Sequence, residues 1–257
     1  MSFKPETSAF LQSYFNKILV LTVPRFTDRQ ANVNLVMKGV AFDFFWGADK
    51  NDLQISDAIS SNIFDEKKAI ELQRHQKPMS LGELACSLSH RKIYEAIIAN
   101  NWEKVLVLED DVWPVFNEME QLPAALHELP EHWDLVYLGY LLHEKVTLRL
   151  KMKQQFYKLT SRLGWMKWSY QMISNLLPKP YSRHLKIAGF HNCTHAYAVT
   201  LEGAKKLLAA QTPIVYRADD LLSHSNLKGD ITAFVTAPKF FDQEEFHLSE
   251  HKSKIKE

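Results

Sequence analysis

Two cysteines in 257 residues, Cys86 and Cys193, are too few and too far apart for a disulfide framework or a cysteine-rich metal site. They read as free thiols in a reducing compartment. Glycine is scarce too, eight in all, and no Gly-rich phosphate loop is found. No apolar run approaches the roughly 18 residues that a membrane span needs. The opening MSFKPETSAFLQSYFNK has neither a long apolar stretch nor a clear small-residue cleavage site, which reads as no signal peptide and a cytoplasmic protein. Internal repeats and low-complexity linkers are also missing. The last absence is local: between Lys145 and Lys186 there is no Asp or Glu at all, against ten Lys or Arg.

What remains is ordinary globular material. The chain is 46% hydrophobic and 24% charged, and its length suits one large α/β domain with ample core. A single domain over 1–257, carrying a basic, aromatic insert at about 143–186, is the expected organisation. The net charge of +1 hides an asymmetry, since outside the basic stretch 21 basic residues face 30 acidic ones. Such polarisation points to an anionic partner for one segment.

Strand-like and helix-like stretches alternate. Lys17–Val23 (KILVLTV) and Ala41–Trp46 (AFDFFW) read as strands around a helix ending near Lys38-Gly39. A long polar connection from Gly47 to Pro78 holds a charged helical piece at Glu66–Arg74. Ser80-Leu-Gly-Glu83 is a capping box that opens a helix to about Asn100. Further strands are predicted at 104–109, Trp133–Leu138, His195–Thr200 and Ile231–Ala237, with helices at Met119–Glu128, Leu201–Ala210 and Asp219–Asn226. This alternation predicts a layered α/β fold, a Rossmann-type, mostly parallel sheet flanked by helices. In open sheets of that kind ligands sit beyond the carboxyl ends of the strands.

One such end is unusual. KVLVLEDDVWP, Lys104–Pro114, is a Val/Leu run fit for burial on both faces that ends in Glu109, Asp110 and Asp111. Three adjacent carboxylates repel one another and are costly to bury unpaired. One Asp can cap the next helix; three exceed that need. A divalent cation with oxygen ligands, Mg²⁺ or Mn²⁺, would offset the repulsion.

The order of motifs resembles glycosyltransferase family 25, the lipopolysaccharide-biosynthesis glycosyltransferases. LTVPRFTDRQ, with Pro24, Arg25 and Arg29, is similar to the family's opening strand and following arginine, and FFWGAD, with Trp46 and Asp49, to its second strand and acidic turn. GELACSLSH (Gly82–His90) is close to its "GE-small-C-x-x-SH" signature, and VLEDDV to its "LEDD" motif. THAYAVTLEGAKKLL, with His195, and ADDLL, with Asp219 and Asp220, resemble its later blocks. The likeness spans about Lys17 to Phe246, without a counterpart for the basic insert.

The resemblance implies a GT-A-like fold and inverting transfer of a hexose, galactose or glucose, from a UDP-sugar to a lipopolysaccharide or other surface-glycan acceptor, with Mn²⁺ (or Mg²⁺) as cofactor. Glu109 and Asp111 are the expected metal ligands, joined by His247, and Asp219, then Asp220, the expected base. Helix capping is the competing reading for Asp219. Pro24, Arg25, Arg29, Trp46, Asp49, Ser89, His90, Asp110 and His195 are the expected donor-site residues. Guanidinium groups match phosphate oxygens, and Asp49 could meet the ribose or uracil. The competing readings are a solvated face for the arginines, a core position for Trp46 and a structural role for His90.

The insert's cations and interleaved aromatics fit an anionic membrane surface or a lipid-linked glycan. The alternative is a helical excursion packed on its own domain. Nucleic acid is not expected as a partner, because no accompanying motif is present. Rival functions are another metal-dependent diphosphate enzyme, disfavoured by the missing phosphate loop, and a catalytically weak or inactive relative that binds glycan or membrane.

Overall fold

The structure is a computed structural model and describes residues 2–72 and 76–243. In chain order these form α1 (Pro5–Tyr14), β1 (Lys17–Thr22), α2 (Thr27–Val36), β2 (Asp43–Trp46), α3 (Ile55–Ser60), α4 (Glu66–Leu72), α5 (Leu81–Ala99) and β3 (Lys104–Glu109). There follow β4 (Val112–Pro114), α6 (Leu122–His127), β5 (Leu135–Leu141), α7 (Leu148–Arg162), α8 (Tyr170–Ser174), β6 (Lys179–Pro180) and β7 (Leu185–Ile187). The chain continues with β8 (Asn192–Thr200), α9 (Leu201–Ala210), α10 (Ala218–Lys228), β9 (Ala233–Thr236) and β10 (Phe241–Gln243).

Eight strands make the central sheet, in the order β2-β1-β3-β8-β5-β9-β7-β6, and β10 pairs with β4 beside it. Six of the eight run in one direction. β8 and β7 are reversed: β8 lies antiparallel between β3 and β5, and β7 antiparallel to β9 and β6. The mostly parallel, GT-A-like α/β fold is therefore the one observed, with β8 as an opposed strand in its middle.

Alternation along the strands divides the core in two, because successive side chains point to opposite faces. Ile18 and Val20 of β1 and Leu106 and Leu108 of β3 pack with Leu11, Val33, Leu122 and Leu126 under α1, α2 and α6. Leu19, Val105 and Val107 pack on the other face with Ile93, Tyr94, Ile97, Leu207 and Leu221 under α5, α9 and α10. Each such side chain contributes roughly 1.5–3 kcal/mol by leaving water. β3 is thus buried on both faces, as its unbroken Val/Leu run predicts.

Local signals explain the helix ends. Ser80 Oγ accepts from the Glu83 backbone N–H and the Glu83 carboxylate accepts from that of Ser80, so the capping box is present. Thr200 caps α9, and Gly229, at φ 81°, closes α10 in the left-handed conformation that glycine adopts freely. Some boundaries differ from expectation. The Met119–Glu128 helix is a 3₁₀ turn (Met119–Gln121) followed by α6. The strand predicted at Trp133–Leu138 is displaced toward the C-terminus, and β8 begins three residues earlier than His195. In both cases sheet partners, a tertiary matter, set the ends.

The insert is half packed and half open. Gln154 Nε2 of α7 donates to the Ile173 carbonyl of α8, and Trp168 sits against Phe190 and His224. Leu148, Met152, Phe156 and Leu159 of α7, and Leu163 at its C-cap, nevertheless stand exposed, at 73, 66, 62, 57 and 53%.

Candidate functional site

β1, β2 and β3 end side by side, with Leu21 opposite Glu109 and Thr22 opposite Trp46. Because β8 runs the other way, its first residues arrive at the same edge. A cleft opens there, lined by Thr22, Arg25, Phe26, Arg29, Gly47–Lys50, Cys86, Ser89 and Glu109–Asp111.

The three acids of β3 meet different partners. Glu109 Oε1 accepts from Thr194 Oγ1 and lies 3.2 Å from His90 Nε2. Burial works against its charge, but these bonds and the nearby His195 more than offset that, and the carboxyl titrates below its ordinary value. Asp110 is buried, accepts from Arg29 Nη1 at 2.7 Å and from Thr22 Oγ1 at 2.6 Å, and is nonetheless pushed up by burial. Asp111 lies on the cleft wall, its Oδ2 3.4 Å from the donor Gln243 Nε2 and 3.9 Å from Arg29.

The other wall comes from the loops after β1 and β2. Arg25 donates to Asp49 at 2.6 Å, and this bond holds the Asp49 carboxyl below its usual range. Asp49 also caps the 3₁₀ turn Lys50–Asp52 through the Asn51 backbone N–H. Ser89 ties the loop down, accepting from the Ala48 N–H at 2.8 Å and donating to the Ala85 carbonyl. Gly47 is needed for this approach, since a Cβ there would lie 2.6 Å from Ser89 Oγ and 2.9 Å from Leu21 Cδ1. His90, one residue on, bridges Tyr197 Oη and Glu109 Oε1 at 2.9 and 3.2 Å, joining α5, β8 and β3.

Asp219 and Asp220 open α10, which has Arg217 as its N-cap. Asp219 accepts from the backbone N–H groups of Cys193 (3.3 Å) and Asp220 (2.9 Å). Burial raises the Asp219 carboxyl. Burial first, and then the neighbouring Asp219 charge, push Asp220 up to about 7, with Glu83 adding to the rise and Arg217 opposing it. Cys193 and Thr194 are consecutive, so one end of β8 holds Asp219 through a backbone N–H and Glu109 through a side chain. That brings the two acid groups into one site.

Not every expected residue lines the cleft. Pro24 is not among the lining residues and offers its carbonyl to Gln30 Nε2. Trp46 is 52% exposed and stacked on Phe44, so it is not a core residue. His195 is fully buried and held down at about 4, chiefly by burial. His247 lies outside the described residues. The sequence reading missed Gln243, Cys86 and the Arg217–Glu83 ion pair at 2.7 Å, though an arginine two residues before Asp219 was a visible signal.

Ligand atoms of Cys86, His90 and Glu109 lie within 4.8 Å of one another. A thiol, an imidazole and a carboxylate suit a softer ion than Mg²⁺ or Mn²⁺. Both His90 nitrogens already have partners, and burial pushes the Cys86 thiol well up. Oxygen ligands such as those of Glu109, Asp110 and Asp111 suit a hard cation by type, but among the described residues these three acids do not gather as closely, Glu109 being bonded to Thr194 and Asp110 to Thr22 and Arg29.

Arginines and carboxylates are gathered beyond the strand ends of a GT-A-like sheet, where ligands sit in open α/β folds. The model of Glycosyltransferase family 25 (LPS biosynthesis protein) matches residues 15–222, and the chain belongs to that family. A "Glycosyltransferase 25 family member" of Anopheles gambiae is 32% identical over 53% of this chain and 19% of its own length. "Procollagen galactosyltransferase 1-A" of Xenopus laevis is 26% identical over 78% and 29%. "Inactive glycosyltransferase 25 family member 3" of Homo sapiens is 28% identical over 77% and 29%. The matched region thus spans less than a third of each relative. Among the described residues no helix is long and apolar enough to cross a membrane.

Proposed function

We propose that this chain is an inverting glycosyltransferase that moves a hexose from a UDP-sugar to a surface-glycan acceptor. The observation that carries this reading is the junction at Cys193 and Thr194, which holds the strand-end acids and the α10 acids in one site. Galactose is the preferred sugar, because a relative is named a galactosyltransferase.

Arg25 stands at the rim, where a diphosphate would meet it, and Asp49 beside it faces the nucleoside. Arg29 acts through Asp110, fixing the floor of the cleft. Ser89 and His90 hold the loop after β2 and the end of β3, Pro24 shapes the turn after β1, and Trp46 flanks the cleft mouth. His195 packs beneath Glu109. Asp111, with Glu109 and Asp110, would hold a Mn²⁺ or Mg²⁺ ion, joined by His247, and that ion would neutralise charge on the departing diphosphate.

The base must take a proton from the acceptor hydroxyl as it attacks. Asp219 is occupied by two backbone donors, whereas Asp220 has its pKa near the working range, at about 7. Asp220 is therefore our first choice and Asp219 its positioning partner.

The insert supports a membrane-borne acceptor. Among the described residues none of its ten cations pairs with a carboxylate. At roughly 100° per residue, the exposed Leu148, Met152, Phe156, Leu159 and Leu163 form one stripe. Arg149 and Lys153 flank it on one side and Lys151, Lys158 and Arg162 on the other. That is the layout of a helix lying in an anionic lipid interface, which would place the protein peripherally on the cytoplasmic face.

A hydrolysis screen of UDP-galactose, UDP-glucose and other nucleotide sugars with Mn²⁺ tests the reading. We expect UDP-hexose turnover that EDTA abolishes and Asp220→Asn removes. Relatives named inactive and the inward bonding of Glu109 and Asp110 favour a second reading, a glycan- or membrane-binding protein. UDP binding with no hydrolysis of any donor would select it.

A further inference from the structure

We propose that the large cavity between the insert and α10 is the pocket for an anionic saccharide, the acceptor of the transfer. This rests on the transferase reading above. The cavity measures about 890 Å³ and is walled by residues of α7, α8, the loop after β5 and α10. That volume falls in the range of small-molecule sites, about 300–1,000 Å³.

Position is the first argument. Tyr216 and His224 line the cavity from either side of Asp219 and Asp220 along the chain. His224 lies four residues after Asp220, on the same helical face, and its Nδ1 is 2.8 Å from the Asp220 carbonyl oxygen. The cavity therefore abuts α10 beside the Asp220 main chain, on the helix that carries the proposed base.

The walls supply the second. His224 stacks on Tyr216 with centroids 5.0 Å apart, and Trp168 meets it edge-on at 5.5 Å. Flat aromatic faces of this kind, negative at the face, attract the polarised C–H groups of a sugar ring. The backbone there is costly to hold: Leu142 (φ 69°) and His143 (φ 57°) on the cavity wall, and Cys193 (φ 72°) on the donor side, are all left-handed without being glycine. Such strain concentrates at functional sites.

Charge supplies the third and sets the ligand's sign. Lys153, Lys167 and Lys228 line the cavity, against Glu71 as the one carboxylate among its described lining residues. Lys228 donates to Tyr216 Oη at 2.9 Å, Lys153 lies over the Tyr157 ring, and Lys167 reaches the Glu71 main-chain carbonyl. Among the described residues none of the three meets a carboxylate. A phosphate or carboxylate on the saccharide would complete them.

The test uses the whole chain and glucose, glucuronic acid and glucose 6-phosphate as probes, read by fluorescence of the cavity residues Trp165 and Trp168. Both anionic sugars should bind about tenfold more tightly than glucose at low salt, and the preference should shrink as salt rises. Lys153→Gln with Lys228→Gln should remove the preference, which also separates the cavity from the arginines of the donor cleft. Equal binding of glucose, or a preference that is insensitive to salt and survives the double substitution, overturns the proposal. UDP-galactose hydrolysis by the wild-type chain is followed in parallel. Hydrolysis without a saccharide preference sinks the pocket alone, whereas a lysine-dependent preference with no hydrolysis of any UDP-hexose upholds the pocket and sinks the transferase reading.

Discussion

Asp220→Asn should stabilise the protein, and increasingly so as pH rises. The substitution keeps shape and removes charge from a carboxyl surrounded by Asp219 and Glu83, with Arg217 as the opposing cation and His224, whose pKa burial lowers, one turn along. Its folded-state pKa, about 7, lies above the ordinary 3.8. Between those values the folded chain keeps a proton that the unfolded chain has lost. Wild-type stability therefore falls as pH rises through that window, by about 1.4 kcal/mol per pH unit, and levels off above it. The amide has no such dependence. From pH 5 to pH 8 the advantage of the variant should grow by about 2–3 kcal/mol, or roughly 5–10 °C in Tm for a chain of this size. Thermal unfolding of both proteins at pH 5, 6, 7 and 8 measures it, with Asp230→Asn at the far end of α10 as a control. A Tm difference that stays flat across this range, or a variant less stable at pH 8, would refute the reasoning. Transfer should vanish in the same variant, and in the wild type should rise with pH through about 7 as the base ionises.

Other expectations follow from the same geometry. Asp111→Asn should lose most donor turnover while unfolding at the wild-type temperature without added metal; near-normal turnover at saturating Mn²⁺ would remove Asp111 from the metal site. Arg29→Met leaves the buried Asp110 charge without its cation and should cost about 3–5 kcal/mol in urea unfolding. Gly203→Ala should also destabilise the fold, by about 1–3 kcal/mol, because its Cβ would lie 2.3 Å from the Asp134 carbonyl oxygen. Changing Met152, Phe156 and Leu159 together to Ser should abolish flotation with phosphatidylglycerol vesicles without affecting saccharide binding. Flotation that is unchanged, or that shows no preference for anionic lipid, would leave the stripe unexplained.

Local features were the legible ones. The capping box at Ser80, the bounds of α9 and the double burial of β3 follow from short-range patterns that tertiary contacts reinforce. The direction of β8 was not legible, because HAYAVT alternates identically whichever way the strand runs. The inward bonding of Glu109 and Asp110 was hidden for a related reason: Thr194 lies 85 residues from Glu109 and Arg29 lies 81 from Asp110. The spacing of 148, 152, 156, 159 and 163 could have been read as a stripe, but opposite it Leu150, Gln154 and Tyr157 form the cavity wall, and two apolar faces on one helix blur its periodicity.

The reversed β8 marks a seam between two stretches of chain that line different openings. Every residue lining the donor cleft falls between Leu21 and Asp111, and all but Glu71 and Leu72 of the second cavity's lining fall after Leu141. The halves meet along the five paired positions of β3 and β8, from Lys104 opposite Thr200 to Leu108 opposite Ala196, and also through the β4–β10 pair, the Glu83–Arg217 ion pair and the bonds of Thr194 to Glu109 and His90 to Tyr197. A crossover in the stretch between them would exchange one half while keeping the other, provided that the β3–β8 register and the β4–β10, Glu83–Arg217, Thr194–Glu109 and His90–Tyr197 contacts survived. On the proposed reading, chimaeras joined between residues 115 and 132 would change the acceptor without changing the donor.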